Sequence, residues 1–248
     1  ASFLTALSKS ILGQIGSLSS NQSRQALQLA YKNLNERHVQ VFLHDGDLQR
    51  VMNNLGWDGA VFTPMCSGNC FSDLVGIVEA NVGVNKSNYF IKRSAEVDIV
   101  ITGNDINKVL TLTLQNSANP SLGLSGRYKP YIRVLVPQGA TNVRVTESMG
   151  KNTQILTPEI SDAKGRMEIG VITEILGSET KKIIFSWSNK GDKSFDEYDL
   201  YFRKQAGVEN YPVSIIVSSK NNLLTSNPTF ALTDKGNYLY NTTLARDL

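Results

Sequence analysis

The chain has 248 residues, of which 41% are hydrophobic, 19% are charged and 8% are aromatic, and its net charge at pH 7 is +3. This composition is too apolar and too evenly charged for a disordered protein. The balance of 25 basic against 22 acidic residues excludes the strongly basic surface typical of nucleic-acid binding. No apolar run approaches the ~20 residues that a membrane-spanning helix needs. We therefore expect a globular chain of one or two domains.

Three amphipathic helices are predicted near the start of the chain. Apolar residues recur at spacings of three and four across Leu4–Leu18, which is the helical period. The string Ser19–Asn21 offers a cap for a second helix with an apolar face across Leu27–Leu34. Asp45 is a good N-cap for a third helix, which Gly56 would end. Four apolar residues are expected to form the buried stripe of this third helix: Leu48, Val51, Met52 and Leu55.

Two short strands are predicted in the same part of the chain. Val39–Leu43 reads as one strand and Leu74–Val82 as the other, because both are short and apolar with turn residues nearby. The sequence therefore predicts a small α/β region over residues 1–86, with three helices and two strands.

After Asn85 the hydrophobic pattern changes to a period of two. Such alternation places one face of a strand in a core and the other in water. Apolar residues alternate with polar ones in seven segments: 89–101, 110–114, 132–136, 167–175, 183–187, 200–202 and 213–217. We predict an α+β protein in which residues 87–248 form an immunoglobulin-like antiparallel β-sandwich. The Cys-Trp-Cys signature of antibody domains is absent, so the prediction concerns architecture alone.

Cys66 and Cys70 are the two cysteines of the chain. Gly68 and Asn69 lie between them and allow a tight bend, so a disulfide is the favoured interpretation and free thiols are the alternative. Metal ligation is disfavoured because no histidine or second cysteine pair lies nearby in sequence. A disulfide would imply an oxidising, extracytoplasmic location.

The most unusual polar string spans Ala80–Asn88, where the two predicted regions meet. Its side chains could form a binding site at this junction, with four candidate residues: Asn81, Asn85, Lys86 and Asn88. A structural role is the favoured alternative. Asn tolerates left-handed turns, and Asn and Ser side chains bond to nearby backbone where a strand leaves one sheet for another.

An intramolecular Lys–Asn isopeptide bond is a further alternative at this junction. It would require a lysine, an asparagine and a carboxylate buried together. The sequence supplies these residue types near the junction: Lys86, Lys92, Asn81, and Glu79 or Glu96.

Signatures of catalysis or cofactor binding are not found. His38 and His44 are the only histidines, and a metal site with Asp45 and Asp47 is disfavoured because the two carboxylates are explained by helix capping and the helix dipole. There is no Gly-x-Ser-x-Gly elbow and no phosphate-binding loop of the Walker type. We therefore expect a non-enzymatic chain without metal or cofactor. The loop Phe195–Tyr198, which mixes acids and aromatics, leaves carbohydrate binding open as an alternative.

Four segments carry a resemblance to a known family. They are His44–Gln49, Leu55–Gly59 (Leu-Gly-Trp-Asp-Gly), Val78–Tyr89 and Tyr128–Gly139. From about His38 onward the chain resembles the C-terminal half of a bacterial family of membrane-anchored surface proteins, which is catalogued as a domain of unknown function. The chain departs from the family pattern in having Glu79 where Asp is usual, and in adding the loop between Cys66 and Cys70.

The resemblance implies an extracytoplasmic protein of the cell surface or envelope. Family members carry an N-terminal transmembrane helix and a preceding region that this sequence lacks, and they end in one more strand after a segment like Leu244–Asp247. We expect binding of an envelope protein or wall polysaccharide through sandwich loops or edges, no nucleic acid, and membrane attachment only through the missing anchor. The alternatives are a carbohydrate-binding module, or the accessory half of an envelope polymer-attaching enzyme with upstream catalytic residues. The sequence does not indicate an oligomeric state.

Overall fold

The structure is a computed structural model that describes residues 2–61, 65–191, 193–219 and 225–248. The chain divides into two compact units, Ala1–Ala60 and Val61–Leu248. This boundary differs from the one predicted between residues 86 and 87. The reason is that the strand Cys70–Asn81 pairs with strands from much later in the chain, so its backbone hydrogen bonds place it in the second unit.

Three helices form the first unit: α1 (Phe3–Ile15), α2 (Ser20–Asn35) and α3 (Gly46–Asn54). The predicted N-terminal caps of α2 and α3 are confirmed. The Ser19 hydroxyl accepts from the backbone N–H of Gln22 at 3.4 Å, and Asp45 Oδ1 accepts from the backbone N–H groups of Asp47 and Leu48 at 3.0 Å each. These caps satisfy N–H groups that have no partner within the helix.

Two predictions for the first unit are wrong. Residues 39–43 form no strand; Val41 donates a backbone bond to the Trp57 carbonyl at 2.9 Å, and among the described residues no strand pairs with this segment. The predicted stripe of α3 is not buried, since Leu48, Val51 and Leu55 are each about half exposed, at 55%, 48% and 49%. The spacing of apolar residues predicts that a helix has an apolar face, but it does not show that another element packs against that face.

The second unit contains the strands of the described chain, with these bounds: β1 (Cys70–Asn81), β2 (Ile91–Thr102), β3 (Asp105–Asn116), β4 (Pro130–Pro137), β5 (Thr141–Met149), β6 (Asn152–Leu156), β7 (Glu159–Asp162), β8 (Arg166–Ile172), β9 (Thr180–Lys190), β10 (Glu197–Arg203), β11 (Tyr211–Ser219), β12 (Ala231–Leu232) and β13 (Tyr238–Leu244). The seven alternating segments predicted from the sequence all fall on these strands or at their ends.

The strands form two mixed sheets. The five-stranded sheet has the order β10-β1-β4-β8-β7, and the eight-stranded sheet has the order β12-β13-β11-β2-β3-β9-β5-β6. The prediction of purely antiparallel pairing is wrong, because β1 pairs parallel with β10 and β2 pairs parallel with β11. Alternation reports which face of a strand is buried, but it carries no information on the direction of the neighbouring strand.

One apolar core joins the two sheets. Val75 and Val134 of the five-stranded sheet belong to the same buried cluster as Leu112 and Phe185 of the eight-stranded sheet. Trp187, at the end of the alternating segment 183–187, is buried in this cluster. The arrangement is therefore a mostly β, sandwich-like α+β fold. Every buried apolar side chain of the described chain lies between Leu74 and Leu244, so the core belongs to the second unit.

Candidate functional site

The predicted disulfide is confirmed. Cys66 and Cys70 are joined with an S–S distance of 2.02 Å and a Cα–Cα distance of 6.1 Å, which excludes the alternative of free thiols. The loop is anchored beside β1, because the Cys66 backbone N–H donates to the Ser72 hydroxyl at 2.8 Å and the Asn69 amide donates to Asp196 at 2.8 Å. A stable disulfide is typical of an oxidising, extracytoplasmic environment.

The junction residues Asn81 and Asn85 form a network with the backbone. The Asn81 amide donates to the carbonyl and side-chain oxygens of Asn85, each at 2.9 Å. The Asn85 amide in turn donates to the carbonyls of Leu124 and Arg127 at 2.8 Å each, and buried Ser87 donates to Asn85 Oδ1 at 2.6 Å. These contacts tie the end of β1 to the loop before β4, which favours the structural interpretation of this segment.

The other junction candidates lie outside this network. Lys86 and Asn88 are exposed, and the described hydrogen bonds of the network do not involve their side chains. The residues first considered for an isopeptide bond are not buried together either, because Lys86, Lys92 and Glu96 are exposed.

Glu79 instead occupies a buried polar cluster between the two sheets. Its carboxylate accepts from the Arg93 guanidinium at 3.0 Å and from the Tyr128 hydroxyl at 2.8 Å. Only 3% of the Glu79 side chain and 9% of the Arg93 side chain are exposed. Burial, together with the adjacent Glu79 carboxylate, raises the pKa of the Tyr128 hydroxyl, so Tyr128 acts as a neutral donor. The cluster fixes β1 against β2.

A second buried cluster was not predicted from the sequence. Asp73 on β1 accepts from Lys108 Nζ on β3 and from the Tyr198 hydroxyl at 2.5 Å. Lys108 Nζ also donates to Asn189 Oδ1 on β9 at 2.9 Å. The side chains of Asp73 and Lys108 are fully buried. One sequence feature could have indicated this cluster. Lys108 lies two residues from Ile106 and from Leu110, on the strand face that is otherwise apolar.

The aromatic loop considered for carbohydrate binding packs against this second cluster. Ring centroids of Phe71 lie 5.6 Å from Phe195 and 6.2 Å from Tyr198, and all three rings pack against the core. Rings used in this way offer less of their faces to a sugar, which favours a structural role for the loop.

The structure does not bring His38 and His44 together with other metal-ligating side chains. His38 lies 3.7 Å from Glu36, and His44 packs edge-on against Phe42 with ring centroids 5.5 Å apart. Within the described ranges, no group of three or more His, Cys, Asp and Glu side chains is placed to hold a metal ion. Among the helices that the structure describes, none combines the length and apolarity needed to cross a bilayer.

An exposed apolar stripe runs along α1. Helical geometry places residues at spacings of three and four on one face, and no residue of α1 is buried. The stripe consists of Phe3, Leu4, Leu7, Ile11 and Ile15, which are 43% to 79% exposed. The opposite face carries Lys9, the one charged residue of the helix. Large exposed apolar patches are a feature of interaction sites in general.

Comparisons with known proteins give no family. No protein-family model matches the chain, and no curated protein matches it significantly. Among solved structures, it is similar to a Legionella pneumophila protein named "putative nutrient binding protein", with a TM-score of 0.48 and 11% identity over 71% of this chain and 69% of that one.

Two further solved structures are also similar over part of their length. Leukotriene A4 hydrolase from Saccharomyces cerevisiae gives a TM-score of 0.35 and 8% identity over 63% of this chain and 28% of that one. A variant M1 zinc metallopeptidase from Deinococcus radiodurans gives a TM-score of 0.27 and 9% identity over 62% of this chain and 38% of that one. At TM-scores and identities this low, these similarities support no conclusion about fold or activity.

Proposed function

We propose that this chain is a non-enzymatic interaction protein of a bacterial cell envelope. In this proposal the two-sheet unit is a rigid scaffold and the apolar stripe of α1 inserts into an apolar groove of a second envelope protein. The exposed stripe carries the proposal, because a helix-in-groove contact requires apolar residues at helical spacing on one face. The disulfide supports the extracytoplasmic location. Membership of the surface-protein family and an immunoglobulin-like topology stay predictions.

The chemistry of α1 favours a protein over the other partners considered. Polysaccharide sites use aromatic faces with nearby hydrogen-bonding groups, whereas four of the five stripe residues are Leu or Ile. A membrane-surface helix is rich in Lys and Arg on its polar face, whereas α1 carries Lys9 alone. Aliphatic side chains without a basic face match the apolar groove of a protein.

Site-specific photocrosslinking in the envelope of the source cells tests this function. A photoreactive amino acid at Ser8, one turn from Leu4 and from Ile11 of the stripe, should give one discrete adduct between this chain and a single envelope protein. Leu7→Lys should reduce the adduct on the order of tenfold or more, because a buried Leu contributes ~1.5–3 kcal/mol and 1.4 kcal/mol is a factor of ten.

The matched control places the same charge on the opposite face of α1. Gly13→Lys should leave the adduct unchanged, because no atom lies within 4 Å of a Cβ at this position and Lys favours the helix over Gly. Equal yields from the two lysine variants would contradict the proposal. An adduct of two copies of this chain would also contradict it, because the partner would then be the chain itself.

A further inference from the structure

The cluster of Asp73, Lys108 and Asn189 combines an amine, an amide and a carboxylate in a site closed to solvent. Lys108 and Asp73 are fully buried and Asn189 is 5% exposed. This cluster lies in the core of the second unit, so it is independent of the α1 stripe.

Strand pairing brings the amine and the amide together. β3 and β9 are antiparallel neighbours, with Lys108 opposite Trp187 and Ile106 opposite Asn189. Asn189 is therefore a diagonal neighbour of Lys108 on the same face of the sheet, within reach of a long side chain. The carboxylate comes from the opposite sheet, because Asp73 shares the core-facing side of β1 with Val75.

The distances place the amine beside the amide carbon. Lys108 Nζ lies 2.9 Å from Asn189 Oδ1. Because a C=O bond measures about 1.23 Å, the Asn189 carbonyl carbon lies within about 4.1 Å of Nζ. The same Nζ donates to Asp73 Oδ2. A nucleophile, its electrophile and a proton acceptor are thus held close together.

We propose that Lys108 and Asn189 join in an intramolecular isopeptide bond, with Asp73 as the proton-transfer group. The bond would link Nζ of Lys108 to Cγ of Asn189 and so join β3 to β9 covalently. It forms from residues that the chain itself supplies.

The surroundings favour the reactive form of the lysine. Burial lowers the pKa of the Lys108 ammonium, although the neighbouring Asp73 carboxylate opposes this shift. The Phe71 and Trp187 rings lie 5.9 Å and 5.4 Å from Nζ and exclude water from it. A desolvated lysine is a competent nucleophile because more of it is uncharged. Replacing a buried ion pair by a neutral amide also removes the cost of keeping two charges out of water.

The reaction balances without an oxidant or cofactor. Asp73 takes one proton from the Lys108 ammonium, and the neutral amine attacks Cγ of Asn189 while the C=O electron pair moves to Oδ1. Through Asp73, a second proton passes from Nζ to Nδ2. The C=O bond then re-forms, the Cγ–Nδ2 bond breaks and ammonia leaves. One amine and one primary amide thus become one secondary amide and one ammonia.

Mass spectrometry of the intact wild-type chain tests this inference. After reduction of the disulfide and denaturation, the chain should be lighter than its sequence mass by one ammonia. Trypsin should fail to cleave after Lys108, so that peptide 94–127 is recovered joined to peptide 183–190. A reduced chain of full sequence mass, with complete cleavage after Lys108, would overturn the inference and leave an ordinary buried ion pair.

Two lysine variants assign the bond to its residue. Lys108→Arg should restore the full mass, whereas Lys190→Arg, next to Asn189 but exposed, should keep the ammonia deficit. Asp73→Asn should also restore the full mass, because the proton-transfer group is lost. Circular dichroism of each variant separates loss of the bond from loss of the fold. A folded Lys108→Arg chain that keeps the deficit would overturn the assignment.

Discussion

At the residue scale, two buried ion pairs cross between the sheets. Asp73 and Glu79 both lie on β1, and their basic partners Lys108 and Arg93 lie on the opposite sheet. A buried charge is tolerated when its partner and hydrogen bonds are in place. These pairs therefore fix which residue of β1 faces which residue of β2 or β3, in addition to the apolar packing between the layers.

Removing one member of the Glu79 cluster should destabilise the protein strongly. Arg93→Ala leaves the buried Glu79 carboxylate without its counter-charge, and we expect a loss of about 3–5 kcal/mol in the free energy of unfolding. Urea denaturation followed by circular dichroism measures this loss.

A more exposed pair provides the control for this substitution. Arg133 lies 3.2 Å from Glu168, and 35% of its side chain is exposed. Arg133→Ala should therefore cost no more than about 1 kcal/mol. If the two alanine variants lose similar free energies of unfolding, burial does not determine how much the Arg93–Glu79 pair contributes to stability.

At the element scale, loops hold the sheets in register through close backbone contacts. Gly177 precedes β9, and a Cβ at this position would lie 2.7 Å from the Ala118 carbonyl oxygen and 3.1 Å from the Pro120 nitrogen. The Ser178 backbone N–H donates to the Asn116 carbonyl at 2.9 Å in the same contact. Glycine is required here because the two backbones approach more closely than a side chain allows.

We expect Gly177→Ala to lower the free energy of unfolding by about 1–3 kcal/mol, the usual cost of overpacking. Gly76→Ala is the matched control, because its Cβ would meet the flexible Leu135 side chain at 3.2 Å instead of backbone. The control should cost less in the same thermal or urea denaturation. An equal or larger loss for Gly76→Ala would show that the close approach of two backbones is not the reason why glycine is required at position 177.

At the scale of the whole molecule, the two units differ in how they are stabilised. The second unit holds every buried apolar side chain of the described chain. The three helices of the first unit contain no buried residue, although Tyr31 packs edge-on against Trp57 with centroids 5.8 Å apart. The second unit should therefore have most of the folding free energy.

Deletion of residues 1–60 should leave the two-sheet unit folded. We expect its Tm to change by less than about 4 °C, which corresponds to about 1 kcal/mol for a domain of this size. Differential scanning calorimetry of residues 61–248 measures this shift. A much larger fall in Tm would show that the helical unit stabilises the sheets.

The sequence by itself determined the local elements. The caps at Ser19 and Asp45, the period-two strands and the disulfide between Cys66 and Cys70 follow from short-range chemistry that a sequence displays directly. The apolar centres of seven strands were predictable for the same reason, whereas most strand bounds and the strands β5, β6, β7, β12 and β13 were not predicted.

Only the tertiary structure decided which elements meet. The parallel pairing of β1 with β10, the exposure of α1 and α3, and the meeting of Asp73, Lys108 and Asn189 depend on strand order and on contacts between residues 35 to 127 positions apart. Hydrophobic period reports that a face is apolar, whereas the partner of that face is set by the packing of the whole chain.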